Sequence, residues 1–598
     1  MKELKFIKKY IKKNNVRLIA AWIFEVLDAF LSLLTPLVFS FFLDYVLGSE
    51  ISNHIYIQEI LNFFGGKEFL QQNLWIGAII VISIYFINSL VMFLKSYMSG
   101  STAEEMTYRI RNDLYMHIQH LPFLTMSSLK IGDVIQRCTS DLDQIRRTVS
   151  TQVGSLFNSF ALAVFASIVL VSINPRLALI SLACVPFIIY YAYRLFDKTQ
   201  QVFAEFDESE ADMTTFVQEN LSGVRVVKAF NREVYELERF GIKSEHHRKV
   251  TLNFSKILGQ YWATSDFICM LQIAVVIFVG VSFATVGEIS VGSLFIFISY
   301  VSSILWPIRN LGRLIADIGK SSVSIERINE ILNMEQEDLV SGIETKIQGE
   351  IEFSNVSFSY ENAKEKGLNN ISFKINAGET LAILGPTGSG KSTLIYLLMR
   401  FFENTSGEIK IDGIPLSDIN KSSLRNQIGL VLQEPFLFSK TILDNIKLGQ
   451  DDVSIHNIEN AANLAAVHEV ISSFDQGYET LVGEKGVTLS GGQKQRVSMA
   501  RTLLKKTPIL VLDDSLSAVD SETDLIIRQH LNSLDHQPTK MIITQRISTM
   551  MDADAILVVE DGKVTQWGNH TQLIEEDGLY RRIYDIQKQR LESEGNYE

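Results

Sequence analysis

Apolar residues in this 598-residue chain are gathered into long runs within its first half, and those runs decide most of what it can fold into. Six stretches, near 20–46, 74–97, 155–173, 177–196, 262–285 and 291–312, reach the ~20 apolar residues an α-helix needs to cross roughly 30 Å of hydrocarbon. Short connectors fix their alternation: Asn174-Pro175-Arg176 and the region of Val286-Gly287-Glu288 leave room only for tight outer turns. Residues 98–154 and 197–258 are long, charged and helix-patterned, which suits helices that continue well into the cytoplasm. Seven cations (Lys2, Lys5, Lys8, Lys9, Lys12, Lys13 and Arg17) precede the first run, against Lys67 alone in the loop after it, which places the N-terminus in the cytoplasm. The first apolar run is too long for a signal-peptide core and has no small-residue cleavage site.

The rest of the chain has a different character. Residues 1–325 read as the transmembrane domain, 326–349 as a linker within the polar stretch 313–350 that carries the helical SIERINEIL, 350–590 as a soluble α/β domain and 591–598 as a tail. The fold class expected is therefore multidomain, a six-helix α transmembrane domain followed by an α/β cassette of the phosphate-loop type. A net charge of -13, with no basic stripe in the soluble part, argues against nucleic-acid binding. Cys138, Cys184 and Cys269 are widely separated, in no metal-like spacing, and indicate no disulfide framework.

The soluble part opens on the alternating strand IEFSNVSFSY (Ile351 to Tyr360), followed by ISFKIN and ETLAILG. The last of these runs directly into GPTGSGKST, that is Gly385, Pro386, Thr387, Gly388, Ser389, Gly390, Lys391, Ser392 and Thr393. Strand, glycine-rich loop and helix is the context a phosphate loop requires. Gly385, Gly388 and Gly390 let backbone N–H groups curl around phosphates, and the helix starting near Lys391 directs its positive end at the same anion. Lys391 is expected to reach the β- and γ-phosphates of ATP, and the Ser392 hydroxyl to ligate Mg²⁺. Further on, LSGGQ (Leu489 to Gln493) precedes a helix, KQRVSMARTLL, and then the acidic strand ILVLDD (Ile509 to Asp514). Small residues at that helix start again suit an anion.

GPTGSGKST, LSGGQ and ILVLDD together resemble the ATP-binding cassette superfamily, and six spans followed by one cassette resemble its exporter-type half-transporters. The resemblance implies two cassettes closing head to tail around two ATP molecules, with Ser490, Gly491, Gly492 and Gln493 facing the γ-phosphate held by the opposite cassette. It implies that Tyr360, which lies 25 residues before Gly385, stacks on adenine. Gln433, in LVLQEPFLFSKTILDNI, would touch Mg²⁺ and sense the γ-phosphate, and Asp513 would hold Mg²⁺ through water. Two long inner loops, HLPFLTMSSLKIGDVIQRCTSDLDQIR (His120 to Arg146) and ENLSGVRVVKAFNRE (Glu219 to Glu233), resemble the exporters' coupling regions. There a short transverse helix docks on the ATPase, the second crossing to the partner's. Glu484 resembles an acidic residue that contacts those helices.

Two positions depart from the family pattern. The residue after Asp513 is normally Glu, which orients or deprotonates the attacking water; here it is Asp514, shorter in reach by roughly an ångström. Misplacement on that scale costs on the order of a hundredfold in rate. Gln545, in IITQRIST, occupies the usual histidine position, and an amide donates a hydrogen bond but carries no proton or positive charge. With Asp514, Gln545 and Gln433 in the catalytic positions and every binding residue retained, the expected site holds ATP and hydrolyses it weakly. The intact LSGGQ would complete a competent site on another polypeptide. DDSLSAVD (Asp513 to Asp520) is similar to that subunit of heterodimeric bacterial multidrug exporters.

The reading that follows is ATP-driven efflux of amphipathic drugs across the plasma membrane by a pair of homologous half-transporters embedded in membrane lipid. A homodimer is the other assembly. Lipid flipping with the same fold, and an ATP-binding sensor that does not transport, are the alternative functions. Within the spans, Glu25 and Asp28 share a helical face and Asp266 lies in the fifth run; such groups either attract cationic substrates or pair, for instance with Arg309 or Arg313.

Overall fold

A computed structural model describes residues 2–12, 14–48, 55–360, 367–450, 452–483, 489–515 and 519–594, so Glu484 lies outside the described residues. The chain divides into two compact units, Met1–Gln119 with Leu129–Met334, and His120–Ser128 with Glu335–Glu598.

The first unit is helical. Among the described residues, Asn15–Leu47, Trp75–Gln119, Ile131–Ile173, Glu233–Thr285 and Val291–Leu332 are long and apolar enough to cross a membrane. Trp75–Gln119 has 45 residues and Glu233–Thr285 has 53, about twice what a bilayer core accommodates, so each continues far beyond it. The stretch expected as a single span near 177–196 is instead interrupted: Pro175–Leu182 and Val185–Ser222 are separate helices. Pro186 sits in the first turn of the second piece and has no N–H to offer the Leu182 carbonyl, so the ladder breaks there. The outer turns form as expected. Asn174 caps Pro175–Leu182 by accepting hydrogen bonds from the Arg176 and Leu177 amides, both at 3.0 Å. Gly287 supplies the positive φ of 80° between Thr285 and Val291.

These helices bury a core that includes Leu33, Leu170, Leu177, Val276, Phe297 and Tyr300, with the Tyr300 hydroxyl donating to the Leu33 carbonyl at 2.7 Å. The charged groups singled out within the spans are paired. Lys95 lies between Glu25, at 2.8 Å, and Asp28, at 2.6 Å, and the Asn158 amide also donates to Asp28 at 3.1 Å. Arg309 or Arg313 is therefore not the partner of Glu25 and Asp28; packing of the first two spans side by side brings Lys95 to them first. Asp266 does pair with Arg309, whose guanidinium also lies over the Trp262 ring at 5.0 Å.

The second unit contains two sheets. Strands β1 (Ile351–Phe358), β2 (Leu368–Ile375), β4 (Ser406–Ile411) and β5 (Ile414–Pro415) form an antiparallel sheet ordered β2-β1-β4-β5. Strands β3 (Thr380–Leu384), β6 (Ile428–Val431), β7 (Ile509–Asp513), β8 (Thr539–Ile543), β9 (Ala555–Glu560) and β10 (Lys563–Gly568) form the other, ordered β10-β9-β3-β8-β7-β6. Only the β9–β10 pair in it is antiparallel. Every residue of β7 and β8 is buried, as a parallel sheet covered on both faces requires. The carboxyl ends of β3, β7 and β8 lie side by side, the place where open α/β sheets bind ligands.

SIERINEIL is the end of the helix Val291–Leu332 rather than a separate element, and no regular structure intervenes between it and β1. Within that connection Glu337 has two grips. Its amide donates to the His120 carbonyl at 2.7 Å, while its carboxylate accepts from Arg425 at 2.7 and 2.8 Å and from Lys421 at 3.2 Å. The short helix Phe123–Ser128 sits against the same domain, with the Phe123 ring stacked on Phe401 at 4.8 Å and near Tyr396 and Phe402 at 5.5 and 5.9 Å.

Candidate active site

Beyond β3 the chain turns through Gly385–Gly390 into the helix Lys391–Leu398. A side chain at 385 would collide with the Val559 carbonyl, and Gly390 adopts a φ of 101° that only glycine takes up without strain. The Lys391 ammonium folds over the loop and donates to the Gly385 and Pro386 carbonyls at 2.8 and 2.7 Å. Ser389 is buried, and its hydroxyl has no partner among the described residues.

The loop floors a cavity of about 620 Å³. Its lining joins Thr387, Gly388, Gly390, Lys391, Ser392 and Thr393 to residues far away in sequence: Tyr360, Gln433, Asp513, Asp514, Ile543, Thr544 and Gln545. Tyr360 follows β1; its hydroxyl meets the Thr393 hydroxyl at 2.9 Å, and Phe358 and Phe402 pack against its ring edge-to-face. Gln433 lies just past β6, and its carbonyl accepts from the buried Gln495 side chain at 3.3 Å. That bond ties it to the helix Gly491–Leu503.

Asp513 ends β7, and its carboxylate accepts from the Ser392 hydroxyl at 3.0 Å. Asp514 then leaves the sheet at a φ of 44°, its amide held by the Ile543 carbonyl at 3.0 Å. Burial pushes both carboxyls above the usual carboxylate range, and for Asp514 the neighbouring charge of Asp513 pushes the same way, while Lys391 opposes both shifts. Burial also draws the Lys391 ammonium below its ordinary value, against the pull of the two aspartates. Desolvated charges of both signs, beside loop amides and an unpartnered hydroxyl, make a cavity that favours a polyanion accompanied by a cation. The Ser392 hydroxyl, the Asp513 carboxylate and the Gln433 side chain are oxygen donors of the hard type that Mg²⁺ takes, so the residues present fit that ion.

Gly385, Pro386 and Ser389 belong to the loop without lining the cavity. Ser490, Gly491, Gly492 and Gln493 are not brought to it either. They start the helix Gly491–Leu503, where the Ser490 hydroxyl accepts from the Gln493 amide at 3.3 Å and the Gln493 side chain accepts from the Ser490 amide at 2.9 Å. Sequence reasoning overlooked Gln495 and Arg546. The Arg546 guanidinium donates to the Val519 carbonyl at 2.7 Å and pairs with Asp524 at 3.3 Å, bracing the segment that presents Gln545. Neither has a local signature; only their positions beside Gln433 and Gln545 mark them.

Residues 18–308 match the family model of the ABC transporter transmembrane region, and residues 368–517 match that of the ABC transporter domain. An uncharacterized ABC transporter ATP-binding protein of Bacillus subtilis (strain 168), YknU, is 35% identical over 510 residues, covering 85% of this chain and 87% of its own. A Staphylococcus aureus (strain NCTC 8325 / PS 47) protein, named as a candidate multidrug export ATP-binding/permease protein, is 33% identical over 584 residues, 97% of this chain and 99% of its own. Among solved structures, a bacterial Atm1-family ABC exporter with ATP bound aligns with a TM-score of 0.76 at 25% identity, covering 96% of this chain and 99% of that one. Membrane helices, a phosphate-loop cavity and these likenesses along nearly the whole length lead to one conclusion: the chain belongs to the ABC transporter family, as a multi-pass membrane exporter whose cytoplasmic cassette binds and hydrolyses ATP to drive transport.

Proposed function

We propose that this chain is one half of a heterodimeric exporter of amphipathic drugs, that its own phosphate site retains ATP while hydrolysing it weakly, and that its Ser490–Gln493 helix start completes the partner's site. The observation that carries this reading is the presence of Asp514 and Gln545 on the wall of one cavity that Tyr360, Lys391, Ser392, Gln433 and Asp513 also line. In it, the loop amides and Lys391 hold the β- and γ-phosphates, and Tyr360 offers its ring to the adenine. Ser392, Gln433 and Asp513 are the groups that would hold Mg²⁺, which when bound neutralises phosphate charge. The Asp514 carboxylate starts from a fixed left-handed backbone and is one methylene too short for the family's usual glutamate position. The Gln545 amide hydrogen-bonds a phosphate oxygen and transfers no proton.

Multidrug export is named for the Staphylococcus relative and supports the drug class proposed here. Pairing is supported by the second coupling segment, the helix Val224–Ala229 with its flanks, which leaves Val226, Phe230, Val234 and Leu237 each more than half exposed. Such an apolar patch in water marks a surface that another chain covers. Transport then follows if ATP stabilises the closed pair of cassettes more than the open one.

ATPase measurements on the chain alone, and on the chain co-purified with the product of a neighbouring transporter gene, test the division of labour. The pair is expected to hydrolyse ATP at least about tenfold faster than this chain alone, and Asp514→Asn in this chain to leave the pair's rate within about twofold. Brisk hydrolysis by the isolated chain, abolished by Asp514→Asn, defeats the proposal.

A further inference from the structure

Behind the segment that carries Gln545 lies the last described helix, Leu579–Glu594. Its anchor is Tyr580, fully buried, with its hydroxyl paired to His570 Nδ1 at 2.6 Å and its amide donating to Gln566 Oε1 at 3.2 Å. Tyr580 belongs to an apolar cluster that contains Ile547 and Met550, just beyond Gln545, and also Ala382 and Leu384, the strand residues leading into the phosphate loop. One helix is thus packed against the backing of both walls of the nucleotide cavity.

Seven residues on, and so on the same helical face, Gln587 turns this packing into a directed contact. Its Nε2 donates to the Gln545 carbonyl at 2.7 Å, and its Oε1 accepts from the Ile547 amide at 3.0 Å. A primary amide that bonds the carbonyl of residue i and the amide of residue i+2 brackets the residue between them, as a neighbouring strand does in a parallel ladder, and holds the intervening peptides in one orientation. From the other side, the Arg546 amide donates to the Thr544 hydroxyl at 3.0 Å, and its guanidinium is held by Val519 and Asp524. Gln545 therefore has a clamped backbone on both flanks while the residue itself is exposed at the cavity wall.

We infer that Gln587 is a positioning residue for nucleotide recognition: it aims Gln545 at the terminal phosphate and so sharpens the site's preference for a nucleoside triphosphate over a diphosphate. The inference rests on the reading of Gln545 proposed above. The bond to the Gln545 carbonyl is not buried, so water replaces it when the side chain is truncated, and the fold loses little. What is lost is the fixed direction of the Gln545 peptide, and a contact to a γ-phosphate depends on direction.

Equilibrium binding of MgATP and MgADP to the full-length chain in lipid nanodiscs tests this. Gln587→Ala is expected to lower the ATP-over-ADP preference about three- to tenfold with ADP affinity unchanged. Gln587→Glu keeps the acceptor for Ile547 but sets a carboxylate oxygen against the Gln545 carbonyl, and is expected to give a fall at least as large. Adding Gln587→Ala to Gln545→Ala should change nothing further. A wild-type preference in Gln587→Ala, or an equal loss of both nucleotides, overturns the inference alone when Gln545→Ala has lost its preference. A wild-type preference in Gln545→Ala overturns the reading of Gln545 and the inference with it.

Discussion

The two short coupling helices make an instructive pair. Phe123–Ser128 and Val224–Ala229 are each six residues long, and each presents aromatic or branched apolar side chains. The first has a socket in its own chain. Phe123 lies on Phe401, which also carries the Arg425 guanidinium at 4.8 Å, and Arg425 is in turn gripped by Glu337. The second has none among the described residues of its own unit: Phe230 is 73% and Val226 61% exposed. The two are equal in length and opposite in coverage, the uncharged FLTMSS being covered and VRVVKA, with its two cations, being open, as the proposed pairing requires. One helix is finished by its own cassette, and the other is left for the proposed partner.

Charging the uncovered patch should break this comparison most severely. Val226→Asp with Phe230→Asp places carboxylates where an apolar contact is proposed, a cost of several kcal/mol in a desolvated interface. Dye transport by vesicles containing the co-expressed pair is expected to fall more than about tenfold, while ATP binding by this chain stays normal. Undiminished transport would mean that no partner surface covers the patch. Emptying the filled socket should have a middling effect. Phe123 is already 38% exposed, so Phe123→Ala should cost about 2 kcal/mol, below the range for a fully buried ring. Substrate-stimulated ATPase should drop several-fold while basal binding is kept; a response equal to wild type would show the socket to be idle.

The smallest effect concerns Glu337. Burial alone would raise its carboxyl, but the hydrogen bonds and charges of Arg425 and Lys421 outweigh burial and hold it below the ordinary value. A carboxylate depressed in this way stabilises the fold fully above the unfolded value of about 4.3, and the contribution fades as pH falls through the lower folded value. Glu337→Gln is therefore expected to lower the melting temperature of the chain by about 2–4 °C at pH 7, with the gap to wild type closing below pH 4. Thermal scans at both ends of that range decide the matter, and a gap independent of pH would exclude an ionic contact.

What could be read directly from the residues follows the distance over which each signal acts. GPTGSGKST is one unbroken stretch between a strand and a helix, so its conformation is dictated by its neighbours and is visible without a structure. Tyr360, Gln433, Asp513, Asp514 and Gln545 are scattered, and became legible only through a resemblance that fixes their offsets; the cavity does bring them together. Contacts with no such template stayed hidden. Nothing local to Lys95, near the end of an apolar run, announces Glu25 and Asp28, about 70 residues away, between which helix packing sets it. Glu337 and Gln587 sit in ordinary polar stretches, and their partners lie 88 and about 40 residues away. The break before Val185 was readable in principle from Pro186, yet hydropathy runs over it without a mark.

Asp514 has its amide fixed by Ile543 and its backbone in the left-handed region, an arrangement owed to the strand end and not to the carboxylate. The proposed quiet state of this cassette is thus written in two side chains alone, on a frame that would carry a longer acid and an imidazole equally well. An engine silenced in this way keeps its housing, and the route back to combustion is one methylene and one ring.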